Sequence, residues 1–148
     1  MSYRVFAQVA RPDPAALVRS ATRYFEASLE ILSQPSEASL ALRVSSERRG
    51  YSTDFVITSR TKSAEDQAAA LRAELQGRSA GMASLAGRCE FVWWLDDSTT
   101  ESPPLLNLCA ILASVALGPV LPADESALFG VRGAMERFER LVGRTLSR

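Results

Sequence analysis

Hydrophobic and polar positions change period several times along the chain. Tyr3, Val5, Ala7 and Val9 alternate with Arg4, Phe6 and Gln8, which predicts a strand over Tyr3 to Val9. Arg11-Pro-Asp-Pro14 follows. Asp13 can cap a helix, and Pro14 suits the first helical position because the N–H it lacks would be unpaired there anyway. Leu17, Val18, Ala21, Phe25, Leu29 and Leu32 then form one apolar stripe, which predicts a helix from Pro14 to about Leu32 with Pro35 as its stop. In the competing reading the helix ends near Glu26 and Leu29–Leu32 is a short strand.

Leu40, Leu42 and Val44 alternate with Ala41, Arg43 and Ser45, and Phe55 and Ile57 alternate with Asp54, Val56 and Thr58. The turn Glu47-Arg-Arg-Gly50 between them, with Gly50 able to take positive φ, predicts a hairpin. Ser63-Ala-Glu-Asp66 has the form of a capping box. The helix it opens is expected to line its apolar face with Ala64, Ala68, Leu71 and Leu75, and Gln76 to Gly87 reads as a loop or broken helix.

In Cys89-Glu-Phe-Val-Trp-Trp-Leu-Asp-Asp97, Phe91, Trp93 and Leu95 fall on one side and Glu90, Val92 and Trp94 on the other. Apolar residues on both sides predict a central strand covered on both faces. Ser102-Pro-Pro opens a nearly all-apolar helix to about Leu117, and Gly118 to Pro122 breaks it. Asp124 can cap a last helical region carrying Leu128, Val131, Met135, Phe138 and Val142.

The order strand, helix, strand, strand, helix, strand, then two helices, predicts an α+β fold. Its expected form is a ferredoxin-like βαββαβ antiparallel sheet with two additional C-terminal helices, as a single globular domain over residues 1–148. Both crossover helices are then expected on one sheet face, with the C-terminal pair covering the other face or an edge.

A chain of 148 residues fits one domain. Its 17 basic and 17 acidic residues cancel, so the basic excess of a general nucleic-acid binder is absent. Lys62 is the sole lysine, a bias that a GC-rich coding sequence explains most simply. The alternative is a surface built for bidentate arginine contacts. Cys89 and Cys109 make no metal-ligand spacing and read as buried structural thiols. Arg4, Gln8 and Arg11 interrupt any leader-like apolar core, so a cytoplasmic location is expected. The apolar run Leu105–Leu117 covers about 20 Å as a helix, short of a membrane's roughly 30 Å, and reads as buried helix.

The absence of histidine excludes Ser-His-Asp and Cys-His catalysis and His-containing metal sites. Walker, G-x-G-x-x-G and G-x-S-x-G motifs are absent as well. No cofactor, metal or catalytic residue is assigned. The candidate binding residues are Asp96, Asp97 and Glu101, an acidic loop after the central strand; Trp94, an aromatic anchor if its cover is loose; and Arg48 and Arg49, a basic point at the hairpin tip. Asp96 and Asp97 are adjacent on an extended backbone and would face opposite ways, so strand-end solvation outweighs a shared Mg²⁺ ion.

The expected function is a non-catalytic cytoplasmic protein-binding protein, with a bacterial toxin-neutralising immunity protein as its sharpest form. The acidic loop would steer a basic protein partner. The alternatives are a carboxylate- and Mg²⁺-dependent enzyme acting on a phosphorylated substrate, and a small-ligand or homo-oligomerisation module built on a free sheet edge.

Overall fold

The structure is a computed structural model that describes residues 2–78 and 81–146, without the side chains of 144–146. Eleven elements follow in the order β1 (Arg4–Ala7), α1 (Pro14–Tyr24), β2 (Ser28–Ser36), β3 (Ser39–Ser46), β4 (Tyr51–Thr61), α2 (Ala64–Gly77), α3 (Met82–Gly87), β5 (Phe91–Leu95), α4 (Pro103–Ala116), β6 (Val120–Leu121) and α5 (Val131–Leu146). The fold is α+β, with six strands in one antiparallel sheet of order β2-β3-β4-β5-β1-β6.

This order differs from the ferredoxin-like expectation. That topology would seat β1 between β4 and β5. Here β4 pairs directly with β5, with Ile57 opposite Leu95 and Thr61 opposite Phe91, and β1 lies on the far side of β5. The crossover helices also part company. Leu17 and Ala21 of α1 join α4, Ala134 and Phe138 in the core on one sheet face. The alanines of α2 and α3 pack with Phe6, Val92, Leu121 and Leu128 on the other. The C-terminal helices therefore share a face with α1.

Helix α1 begins as its sequence dictates, with Asp13 accepting from Ala15 N–H and Pro14 in the first position. It stops at Tyr24, well short of Leu32. Glu26 takes a left-handed φ of 50°, and Leu29 and Ile31 pair with Val44 and Leu42 across β2–β3. The shorter reading of this segment holds, because an alternating run beside a ready partner strand gains ladder bonds and a buried face together. Pro35 lies within edge strand β2, where its missing N–H costs no ladder bond.

The predicted hairpin forms, with Gly50 at φ 75° in its turn. The Ser63 capping box also forms. Ser63 Oγ accepts from Asp66 N–H, and Asp66 accepts from Ser63 N–H. The buried stripe of α2, however, is Asp66, Ala69, Ala70 and Ala73, whereas Leu71 and Leu75 are 50% and 81% exposed. The buried face of α2 thus sets only small apolar side chains in the cluster with Phe6 and Val92, and its C-terminal Gly77 has room for no Cβ against Ala127. The stretch after α2 contains the short helix α3; Ser79 and Ala80 lie outside the described residues.

Strand β5 is central and covered on both sides. Trp93 and Leu95 join the α1/α4/α5 core, and Val92 joins the α2/α3 core. Helix α4 is capped by Ser102 and buried over most of its length. Asp124 does not cap the last helix, which begins only at Val131. It accepts instead from Ser126 N–H, and hydrogen bonding from the Ser126 side chain and N–H holds its carboxyl below the usual carboxylate value. Both cysteines are buried and free. Among the described residues no helix is long and apolar enough to cross a membrane.

Candidate functional site

Strand β4 is eleven residues long and its neighbour β5 only five. Their pairing starts at Thr61 opposite Phe91 and ends at Ile57 opposite Leu95, with one further bond from Asp96 N–H to Val56 O. The chain then turns away through Asp96 and Asp97, the latter in the left-handed region at φ 60°. Residues 51–55 of β4 thus keep β3 on one side and have no strand on the other. The result is a notch in the sheet.

The notch is an open groove of about 600 Å³. Thr53, Asp54, Phe55 and Val56 form one wall, and Asp96 to Thr100 with Ser102 form the other. Leu32, Ala41 and Leu105 add apolar surface. Leu32 and Val56 are exposed there because the α2/α3 layer covers only the β5-β1-β6 part of its sheet face; among the described residues its core includes nothing from β2, β3 or β4.

Among the described residues three carboxylates line the groove and no basic side chain does, while Arg43 reaches one of them, Asp54, from beside it. Asp96 accepts from Thr58 Oγ1 at 2.8 Å, which fixes it against β4. Asp54 accepts from Arg43 Nε at 2.7 Å, and this hydrogen bond holds its carboxyl below the usual value and charged at neutral pH. Arg43 also faces Glu30 at 3.7 Å, so the guanidinium lies between two acids of its own sheet face. Asp97 is exposed in its turn.

The other predicted binding residues lie elsewhere. Glu101 accepts from Arg137 at 3.1 Å and lines a separate small recess with Arg137 and Arg140. The acidic loop is therefore split, with Asp96 and Asp97 on the groove and Glu101 tied to α5. Arg48 pairs with Glu26, while Arg49 pairs with Glu139 at 2.7 Å and lies over Phe138, so the hairpin tip is fastened to its own fold. Trp94 is half-buried, with the Arg60 and Arg4 guanidinium groups 4.3 and 4.7 Å from its ring centroid. It pairs across the sheet with Thr58, at the border of the uncovered face. Trp93, on the opposite side of β5, is fully buried.

Compared with known protein families, curated proteins and solved structures, the chain matches none.

Leu32, Asp54, Val56 and Thr58 were not singled out by the sequence pattern, which assigns Asp54, Val56 and Thr58 to the outer side of a half-buried strand. The available signal was a difference in length. The β4 segment alternates well beyond the point where Asp96-Asp97 ends its partner.

Among the described residues no group of three His, Cys, Asp or Glu side chains is placed to hold a metal ion. The groove presents fixed negative charge beside apolar surface, an arrangement that suits a cationic head on an aliphatic stem.

Proposed function

We propose that the protein acts by binding another protein, without chemistry of its own, and that the partner presents arginine or lysine side chains to the groove beside β4. The observation that carries this reading is the charge of the lining: Asp96 and Asp97, which have no ion-pair partner among the described residues, and Asp54, which is shared with Arg43, around an apolar surface of Leu32, Ala41 and Val56. The basic hairpin tip, by contrast, is occupied by its own acids, with Arg48 on Glu26 and Arg49 on Glu139. Charge complementarity of this kind speeds encounter and rejects acidic competitors. Occlusion of a basic partner, of which toxin neutralisation is the sharpest form, needs only such a surface.

The test is affinity capture from the native cell with wild-type protein and with the Asp96→Lys/Asp97→Lys variant, followed by identification of the retained protein. The expected result is a partner with a basic contact surface that wild type holds at low salt, releases at high salt, and that the variant fails to hold. A partner held equally by both proteins, or one with an acidic contact surface, would overturn the proposal.

A further inference from the structure

The notch exposes backbone as well as side chains. Val56 O accepts from Asp96 N–H, so the backbone of Val56 points to the β5 side. Ser59 N–H, an odd number of residues away, donates to Ala38 on the β3 side, and Lys62 N–H donates to Glu90 on the β5 side. Along an antiparallel strand N–H and C=O alternate in direction together. Ser52 and Asp54 therefore aim both backbone groups into the notch. No strand faces them, and among the described residues no backbone hydrogen bond joins residues 51–55 to the Asp96–Ser102 loop.

We infer that the groove takes its partner as an added strand: an extended basic segment lies along residues 51–56 of β4, bonding to the backbone of Ser52 and Asp54 in continuation of β5. This rests on the proposed function and names how that site recognises its ligand. Two donors and two acceptors in register fix the phase of the incoming backbone, and alternate side chains would then reach the two sides of the sheet. On the uncovered side they meet Asp54, Val56 and Asp96, where an arginine or lysine is matched. On the opposite side they approach Phe55 and Leu105, where an apolar residue is matched. The segment that fits alternates basic and apolar residues.

The far edges of the sheet are poorer sites for the same addition. Beyond β6, Val120 already exchanges backbone hydrogen bonds with Phe129. Edge strand β2 shifts register between Ile31 and Ser33 and again before Ser36, and it carries Pro35, all of which spoil a template. The notch lies on a strand held in regular register by β3 from Ser46–Tyr51 to Ser39–Thr58.

The probe is the peptide acetyl-Arg-Val-Arg-Val-Arg-Val-amide, titrated into the full chain and followed by amide NMR and hydrogen exchange. The expected result is shifts at Val56, Asp96 and Asp97, with exchange at the Ser52 and Asp54 amides slowed at least tenfold by saturating peptide. Methylating alternate peptide nitrogens, in either phase, should weaken binding by at least tenfold in the phase that faces β4. Ser52→Pro removes one outward N–H and leaves every groove carboxylate in place; it should keep the wild-type spectrum elsewhere and lose peptide binding. Should Ser52→Pro fail to fold, the methylated peptides and the exchange rates on wild type decide alone. Shifts at Asp96 and Asp97 with unprotected Ser52 and Asp54 amides, and equal binding of both methylated peptides, would overturn strand addition while leaving the charge-based proposal standing. Absence of any shift would overturn strand addition too, and the partner-capture experiment would then judge the broader proposal separately.

Discussion

Arg4 on β1 and Asp66 on α2, 62 residues apart in the chain, meet at 3.0 Å with almost no water access to either side chain. Asp66 spends its second oxygen on the Ser63 capping box, and Arg4 reaches Glu125 at 3.3 Å. One buried pair therefore fastens the start of α2 to β1 of the sheet and to the segment before α5. Removing one partner of such a pair leaves an uncompensated buried charge.

Arg4→Met should accordingly destabilise the protein by about 3–5 kcal/mol. Urea denaturation reads this as a lower midpoint. The Arg4→Met/Asp66→Asn double variant should recover part of the loss, since both charges are then gone. Additive losses would show that the two residues do not act as a pair.

The exposed leucines of α2 give the opposite expectation. Leu71→Ser and Leu75→Ser should each change stability by no more than about 0.5 kcal/mol, because neither side chain leaves solvent on folding to the extent a core residue does. Ala70→Leu, on the buried stripe, should cost roughly 1–3 kcal/mol through overpacking. Thermal unfolding of the three variants checks both statements; a large loss at Leu75 would place the wrong side of α2 against the sheet.

What the sequence made legible here was what local chemistry decides. Asp13, Ser63 and Ser102 marked helix starts because a side-chain oxygen within three residues does the capping. The double-sided burial of β5 was legible because apolar residues occupy both of its faces. The buried stripe of α2 was not, because it is built of Asp66 and three alanines, and hydrophobic size alone points instead to Leu71 and Leu75. The strand order was not legible either, since the neighbours of β1 come from residues about ninety and more positions away. In the candidate site, Asp96 and Asp97 stood out as the abrupt end of an apolar run. Their separation from Glu101 depends on Arg137, which no local pattern connects to that loop.

Gly118 is required for space. A Cβ there would overlap the Phe6 carbonyl oxygen and stand 2.8 Å from Cys89 Sγ. Gly118→Ala must push the α4–β6 connection off β1, where Phe6 N–H donates to Pro119 O and Gln8 N–H to Ala116 O. A loss of about 3 kcal/mol is expected. An unchanged unfolding midpoint would contradict the close approach.

Alkaline pH should weaken the fold through its buried acids. Burial pushes up the thiols of Cys89 and Cys109 and the hydroxyls of Tyr3 and Tyr51. A group whose folded pKa lies above its unfolded value contributes fully below the unfolded value, and that contribution is lost as pH rises past it. The unfolded thiols ionise near about 8.5, so stability should hold through neutrality and fall above that point. Urea midpoints at pH 7 and pH 10 test this, and Cys89→Ala/Cys109→Ala should flatten the decline. Both thiols should also resist a maleimide reagent until the chain unfolds.

The central claim is that partners enter at the notch beside β4, and a photoreactive residue placed at Val56 tests it in the native cell. Irradiation should yield one defined adduct whose crosslinked segment carries arginine or lysine, and the same probe at Leu71 on α2 should yield none. An adduct through Leu71 alone, or a Val56 adduct to an acidic segment, would contradict the account.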